Sequence, residues 1–195
     1  MVTLMPGVPA LVGSILLVAF ILGEGRLRQG VDARSRVAEP ADKGTTRVVG
    51  AAFAVCLVTY VLTSFLAAAG VAPLPAPLAW AGVVAMVLGV TLRVWAAAVL
   101  GTSYTRTLRV QDTQELVRSG PYAFVRHPGY AGTVLMWTGA SLASGDALAP
   151  IVIVPVILWA YAVRISAEER MLETAFGESF RDYARKTRSL VPFIY

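Results

Sequence analysis

Apolar residues in this chain gather into long unbroken stretches, with polar residues confined to short connections between them. Spanning the hydrocarbon core of a bilayer takes about 20 predominantly apolar residues. Residues 8–23 form a short first stretch. Residues 48–92 contain no charge over 45 positions, too many for one span. The cluster Pro73-Leu-Pro-Ala-Pro77 divides that run, because proline lacks an amide donor and clashes with the preceding turn. This predicts spans over 48–70 and 78–100. The last apolar region, 130–163, is broken at Ser144-Gly145-Asp146 and reads as a tight hairpin with spans over 128–143 and 147–163. The fold class predicted is all-α, a polytopic membrane protein with five spans. Two polar segments remain. Residues 101–127 read mostly as loop, with Gly120-Pro121 as a turn signal. Residues 164–176 continue span five as helix up to Gly177. A short amphipathic helix follows over 178–186, with Phe180 and Tyr183 on one apolar face.

Composition agrees. Of the 195 residues 56% are hydrophobic and only 15% charged, with a mean hydropathy of +0.66. Soluble domains lie nearer a quarter charged. The balance excludes a disordered chain, a small disulfide scaffold and an ordinary cytosolic enzyme. One membrane-embedded domain over 1–195 is expected, with three spans in 1–100 and the remaining elements in 101–195. The start has no basic region ahead of the first stretch, so 8–23 is expected to be a retained helix and not a cleaved signal. The single cysteine, Cys56, lies in an apolar run and can make neither an intrachain disulfide nor a thiolate metal site. No metal is expected.

A net charge of +5 invites a nucleic-acid reading. The positions of the basic residues argue against it. Arg26, Arg28, Arg34, Arg36, Lys43 and Arg47 lie between spans one and two. Arg106, Arg109, Arg118 and Arg126 lie between spans three and four. Arg164, Arg170, Arg181, Arg185, Lys186 and Arg188 follow span five. Sixteen of 17 thus fall on one side of an alternating topology, and Arg93 is the exception. The positive-inside rule makes that side cytosolic, with the N-terminus outside and the C-terminus inside. The expected partner is the lipid bilayer, with anionic headgroups a secondary contact for the basic residues.

The only histidine, His127, stands in Arg126-His-Pro-Gly-Tyr130 at the mouth of span four. Each piece suits a membrane interface: a snorkelling arginine, a headgroup-level tyrosine, a proline in the first helical turn. The same helix N-terminus also offers amide donors suited to a carboxylate or phosphate. Both readings stay open. Arg164 and Glu168 are four residues apart and share a helix face, with Glu169 adjacent. They form either a weak surface pair or a polar site at a span end, where ionisable groups face the bundle interior. In the second case the carboxylates suit an ammonium or sulfonium and the arginine an anion. Arg93 is expected to snorkel, with lining a polar cavity the second possibility. Trp80, Trp95, Trp137 and Trp159 read as belt or packing residues, and Gly89 and Gly101 as sites of close helix packing.

Together the segments resemble a known family. Leu116-Val-Arg-Ser-Gly-Pro-Tyr-Ala-Phe-Val-Arg-His-Pro-Gly-Tyr-Ala-Gly132 is similar to the cofactor motif of the isoprenylcysteine carboxyl methyltransferases and related phospholipid methyltransferases. Arg164, Glu168-Glu169, Phe176-Gly177-Glu178, Tyr183 and Leu190-Val-Pro192-Phe resemble the same family's C-terminal pattern. The likeness covers residues 100–195; the first three spans match only in hydropathy. It implies an integral membrane methyltransferase that uses S-adenosylmethionine, with a cofactor site open to the cytosol and a lipophilic acceptor carrying an oxygen nucleophile. By motif position the implied cofactor contacts are Gln114, Glu115, Leu116, Val117, Tyr122, His127, Pro128, Gly129, Tyr130 and Glu168, with Glu169 a further candidate. Arg164 would face the acceptor and Arg126 would order the site. The family often has histidine where this chain has Gln114, and Gly129 fills a variable slot, where it offers only backbone. Two rivals remain: a nicotinamide-dependent reductase, since the C-terminal region also resembles membrane sterol reductases of about twice the span number, and a non-enzymatic membrane scaffold.

Overall fold

The computed structural model describes residues 7–27, 44–101 and 116–190. Among these described residues six α-helices follow one another: α1 (Val8–Leu27), α2 (Thr45–Ala68), α3 (Ala76–Leu100), α4 (Pro128–Ala143), α5 (Leu148–Phe176) and α6 (Glu178–Lys186). A 3-10 turn, Gly120–Ala123, precedes α4 at the predicted Gly-Pro signal. The first five helices form the membrane bundle and α6 caps one end of it. By length and composition α2, α3 and α5 each suffice to cross a membrane. With 16 residues, α4 is about 24 Å long. It is also the most enclosed helix, with ten buried residues against five in α2.

Glycine explains the tightest contact. Gly82 and Gly139 face each other across α3 and α4, and so do Gly89 and Gly132, in antiparallel register. A Cβ on Gly89 would stand 2.5 Å from the Gly132 carbonyl oxygen, and one on Gly139 would stand 2.5 Å from that of Gly82. Only hydrogen fits, so the two backbones touch. Gly101 differs from the expectation for it: at φ 55° it caps the C-terminus of α3, and nothing lies within 4 Å of a Cβ there. Helix α5 packs chiefly on α2 and α4, and α1 on α3. Cys56, Met86, Met136, Trp137, Ile153 and Ile157 fill the centre. Trp137 meets Phe53 edge-on, whereas Trp95 and Trp159 are exposed, as are apolar side chains such as Phe65 and Ile151. That outer apolar surface suits lipid.

The two connections that lack basic residues meet at one end. Leu74 N–H donates to the Gly145 carbonyl (2.8 Å) and Ala147 N–H to that of Ala72 (2.9 Å). Asp146, fully buried there, accepts from the Leu148 amide at 2.8 Å and so caps α5. At the other end α6 buries Phe180 and Tyr183, as its amphipathic pattern predicts. Tyr183 donates to the Tyr122 carbonyl at 2.7 Å. Burial pushes its hydroxyl up to about 12, against the pull of Arg126 and Arg118.

Candidate functional site

Helix α4 begins where the chain stops pairing with the C-terminal segment. Arg126 N–H donates to the Arg188 carbonyl (2.8 Å) and His127 N–H to that of Ser189 (3.1 Å). Pro128, with no amide to lose, then opens the helix. The amides of Tyr130 and Ala131 both turn back to the His127 carbonyl at 3.0 Å. The amides of Arg126, His127, Tyr130 and Ala131 are thus engaged within the protein, which leaves the turn fewer donors for an anion than its sequence suggests.

What the turn contributes instead is side chains. Helix α5 runs unbroken through Pro155, and its charge-free part ends at Val163. One turn beyond that point, Glu168 and Glu169 meet the α4 turn. Glu169 Oε1 accepts from Arg126 Nε at 2.8 Å, lies 3.1 Å from His127 Nε2, and accepts from the Ser189 hydroxyl at 3.3 Å. Burial alone would raise its carboxyl, but the bonds from His127 and Arg126 outweigh that and hold it at about 2. Glu168 Oε2 accepts from the Tyr130 hydroxyl at 2.5 Å, and its Oε1 lies 4.0 Å from His127 Nδ1. The Tyr130 hydroxyl in turn accepts from Arg164 Nε at 3.2 Å. Arg164 also donates to the hydroxyls of Thr45 (3.0 Å) and Thr46 (2.9 Å) at the start of α2. His127 and Arg164 are 5% and 6% exposed, and the imidazole stacks parallel to the Tyr130 ring. One polar chain therefore runs from α2 through Arg164, Tyr130, Glu168, His127 and Glu169 to Arg126.

The two arginines that the resemblance singles out, Arg164 as facing the acceptor and Arg126 as ordering the site, stand differently in this chain. Arg126 is spent on structure: besides Glu169 it donates to the carbonyls of Ala184 (3.1 Å) and Thr187 (2.6 Å), closing the end of α6. Arg164 sits where α2, α4 and α5 converge, beside the acidic residues. Pro128 and Gly129 are buried in the turn, Tyr122 is buried beneath α3, and Leu116 and Val117 are half-buried. Gln114 and Glu115 lie outside the described residues. An open groove of about 620 Å³ between α5 and α6 shares Glu169 but is otherwise lined by residues such as Arg170, Glu173 and Arg181, apart from the polar chain above.

The donor set fits S-adenosylmethionine in one respect. Among the described residues Glu168 has no arginine or lysine on its carboxylate, so its charge is available to an ammonium or sulfonium, whereas that of Glu169 is taken by Arg126. No group of three or more metal-ligating side chains occurs among the described residues.

Sequence reasoning missed Glu24 and Thr133, and for Arg93 it put snorkelling ahead of lining a polar cavity. Arg93 does not snorkel: at 6% exposure it turns inward, onto Glu24 of α1 and the first turn of α4. Desolvating a guanidinium is costly in a span, so it is found paired. Its isolation in an otherwise charge-free run was the available signal.

Apolar helices bundled around a core, with an ionisable cluster at one end, define a polytopic membrane protein with a polar site at the end of its bundle. Family comparison then matches residues 78–179 to the phospholipid methyltransferases. The match takes in more than half of the chain, and the chain belongs to that family. Among curated proteins it is similar to a probable protein-S-isoprenylcysteine O-methyltransferase of Oryza sativa subsp. indica, 31% identical over 59% of this chain and 61% of that one. It is also similar to protein-S-isoprenylcysteine O-methyltransferase B of Arabidopsis thaliana, 30% identical over 58% of each, and to the Schizosaccharomyces pombe protein, 32% identical over 55% of this chain and 46% of that one. The matched segment thus spans about half to three fifths of those relatives. Among solved structures, the eukaryotic intramembrane Ras methyltransferase ICMT superposes with a TM-score of 0.70 over 99% of this chain and 70% of its own, at 22% identity, a likeness of fold.

Proposed function

We propose that this protein transfers a methyl group from S-adenosylmethionine to an anionic oxygen of a lipid-like acceptor, a prenylated-cysteine carboxylate being the type its relatives' names describe. The observation that carries this reading is the meeting of the histidine turn of α4 with the acidic pair of α5, since those are the segments that carry the family likeness. When bound, the cofactor supplies an electrophilic methyl on a sulfonium. Glu168 holds its ammonium group, and His127 and Tyr130 order the surrounding wall. Arg164 aligns the acceptor's oxygen. A carboxylate acceptor needs no general base, because it is already ionised at neutral pH. The protein's contribution is then mainly positioning of two reactants. The cofactor is polar and the acceptor lipid-dissolved, so a site at the end of the bundle lets both reach it. We place that end on the cytosolic side, with the N-terminus outside.

The test is transfer of labelled methyl from S-adenosylmethionine by the purified protein. Acceptors are a prenylated cysteine with a free carboxylate, the same compound as its amide, and a phospholipid amine. Base-labile label on the first alone is the expected result. Label on the amine, or on none of them with the fold intact, overturns the reading.

A further inference from the structure

The first span carries none of the family's motifs, yet one of its residues is linked to the site through Arg93. Glu24, near the end of α1, takes Arg93 with both oxygens: Nε to Oε2 at 3.0 Å and Nη2 to Oε1 at 2.7 Å. The pair is nearly enclosed, with side chains 7% and 14% exposed, and Phe20 lies against the guanidinium at 5.8 Å. The third nitrogen of Arg93 turns to α4. Its Nη1 donates to the Gly129 carbonyl at 3.0 Å and to the Thr133 hydroxyl at 2.6 Å. Thr133 itself donates to the same Gly129 carbonyl at 3.0 Å. A guanidinium is a rigid planar fork, so fixing two nitrogens on a carboxylate determines where the third points. Gly129 stands between the His127-Pro128 step and Tyr130. Holding its carbonyl holds the turn that carries both site side chains.

We propose that Glu24 and Arg93 are positioning residues: the Glu24 carboxylate aims the Arg93 guanidinium at the Gly129 carbonyl and so sets where His127 and Tyr130 stand. Because Arg93 is buried, its third nitrogen has to find an acceptor, and the acceptors it finds are on the α4 turn, which ties the pair to that turn as well as to α1 and α3. The consequence for a cofactor rests on the reading of this site given above; the consequence for the turn does not.

His127 is the only histidine, so isotope-labelled histidine gives one set of imidazole signals that report the turn with no ligand present. The full chain in nanodiscs, as wild type, E24Q and the charge-swapped E24R/R93E, is compared by these signals, by thermal stability and by calorimetric titration with S-adenosylmethionine. E24Q is expected to move the ring signals and to weaken the cofactor about tenfold or more. The swap should recover stability without recovering signals or affinity, because the Gly129 carbonyl has lost its arginine donor and keeps only that of Thr133. Ring signals unmoved in E24Q, or full recovery of signals in the swap, would overturn the proposal. Should either variant fail to fold, R93K decides: it keeps the charge but lacks the fork, so moved signals support positioning and unmoved signals refute it. A wild type that does not bind S-adenosylmethionine sinks the cofactor reading alone, and the ring signals still judge the positioning claim.

Discussion

Glu168 and Glu169 are neighbours in sequence with opposite fates. Glu169 is locked by Arg126, His127 and Ser189, whereas Glu168, among the described residues, meets only a tyrosine hydroxyl and the far edge of the imidazole. Glu168→Gln is therefore expected to lower S-adenosylmethionine affinity about tenfold, with the melting temperature in detergent nearly unchanged. Glu169→Gln leaves Arg126 without its anion and is expected to cost about 1–3 kcal/mol of stability. The same carboxyl sets a pH dependence. Its ordinary value is 4.5 and its folded value about 2, so it stabilises the fold fully above the former and loses that contribution as pH falls toward the latter. The gap in melting temperature between wild type and Glu169→Gln should be full at neutral pH, narrow below about 4.5 and close near 2.

At the scale of elements, the contact of α3 with α4 brings Arg93 of α3 against the histidine turn of α4. Adding one methyl at Gly89 or Gly139 drives it into partner backbone, which cannot yield as a flexible side chain would. Either substitution by alanine is expected to cost about 1–3 kcal/mol, read by chemical denaturation in mixed micelles. Gly50, in α2, is the control: a Cβ there meets nothing within 4 Å. Gly50→Ala should be neutral or stabilise by about 0.5–1 kcal/mol, since alanine loses less backbone freedom in a helix.

For the whole molecule, the charge distribution and the bundle agree on which ends belong together. The Ala72–Leu74 and Gly145–Ala147 connections pair with each other, while Arg126, Arg164 and α6 gather at the opposite end. An impermeant thiol reagent on intact cells should label Ala69→Cys, and Lys186→Cys only after permeabilisation. Cys56 is fully buried and stays silent. The reverse pattern would invert the topology and place the site outside.

The helices of the described residues, their breaks and the amphipathic face of α6 were legible in the sequence, because each follows from hydrophobic runs, prolines and glycines that act on their own neighbourhood. The prediction for α4, residues 128–143, matches its observed bounds. The likeness of the His127 and Glu168 segments to a family was legible too, being a matter of residue types in order. Their partners were not. Which carboxylate stays available, that Arg126 is consumed by α6, and that Arg93 turns inward to Glu24 all depend on contacts between residues 36 to 69 positions apart. Local pattern says only that a charge in a span needs a partner. Which partner it finds is settled when glycine-faced helices close to backbone contact and bring distant side chains within hydrogen-bond reach.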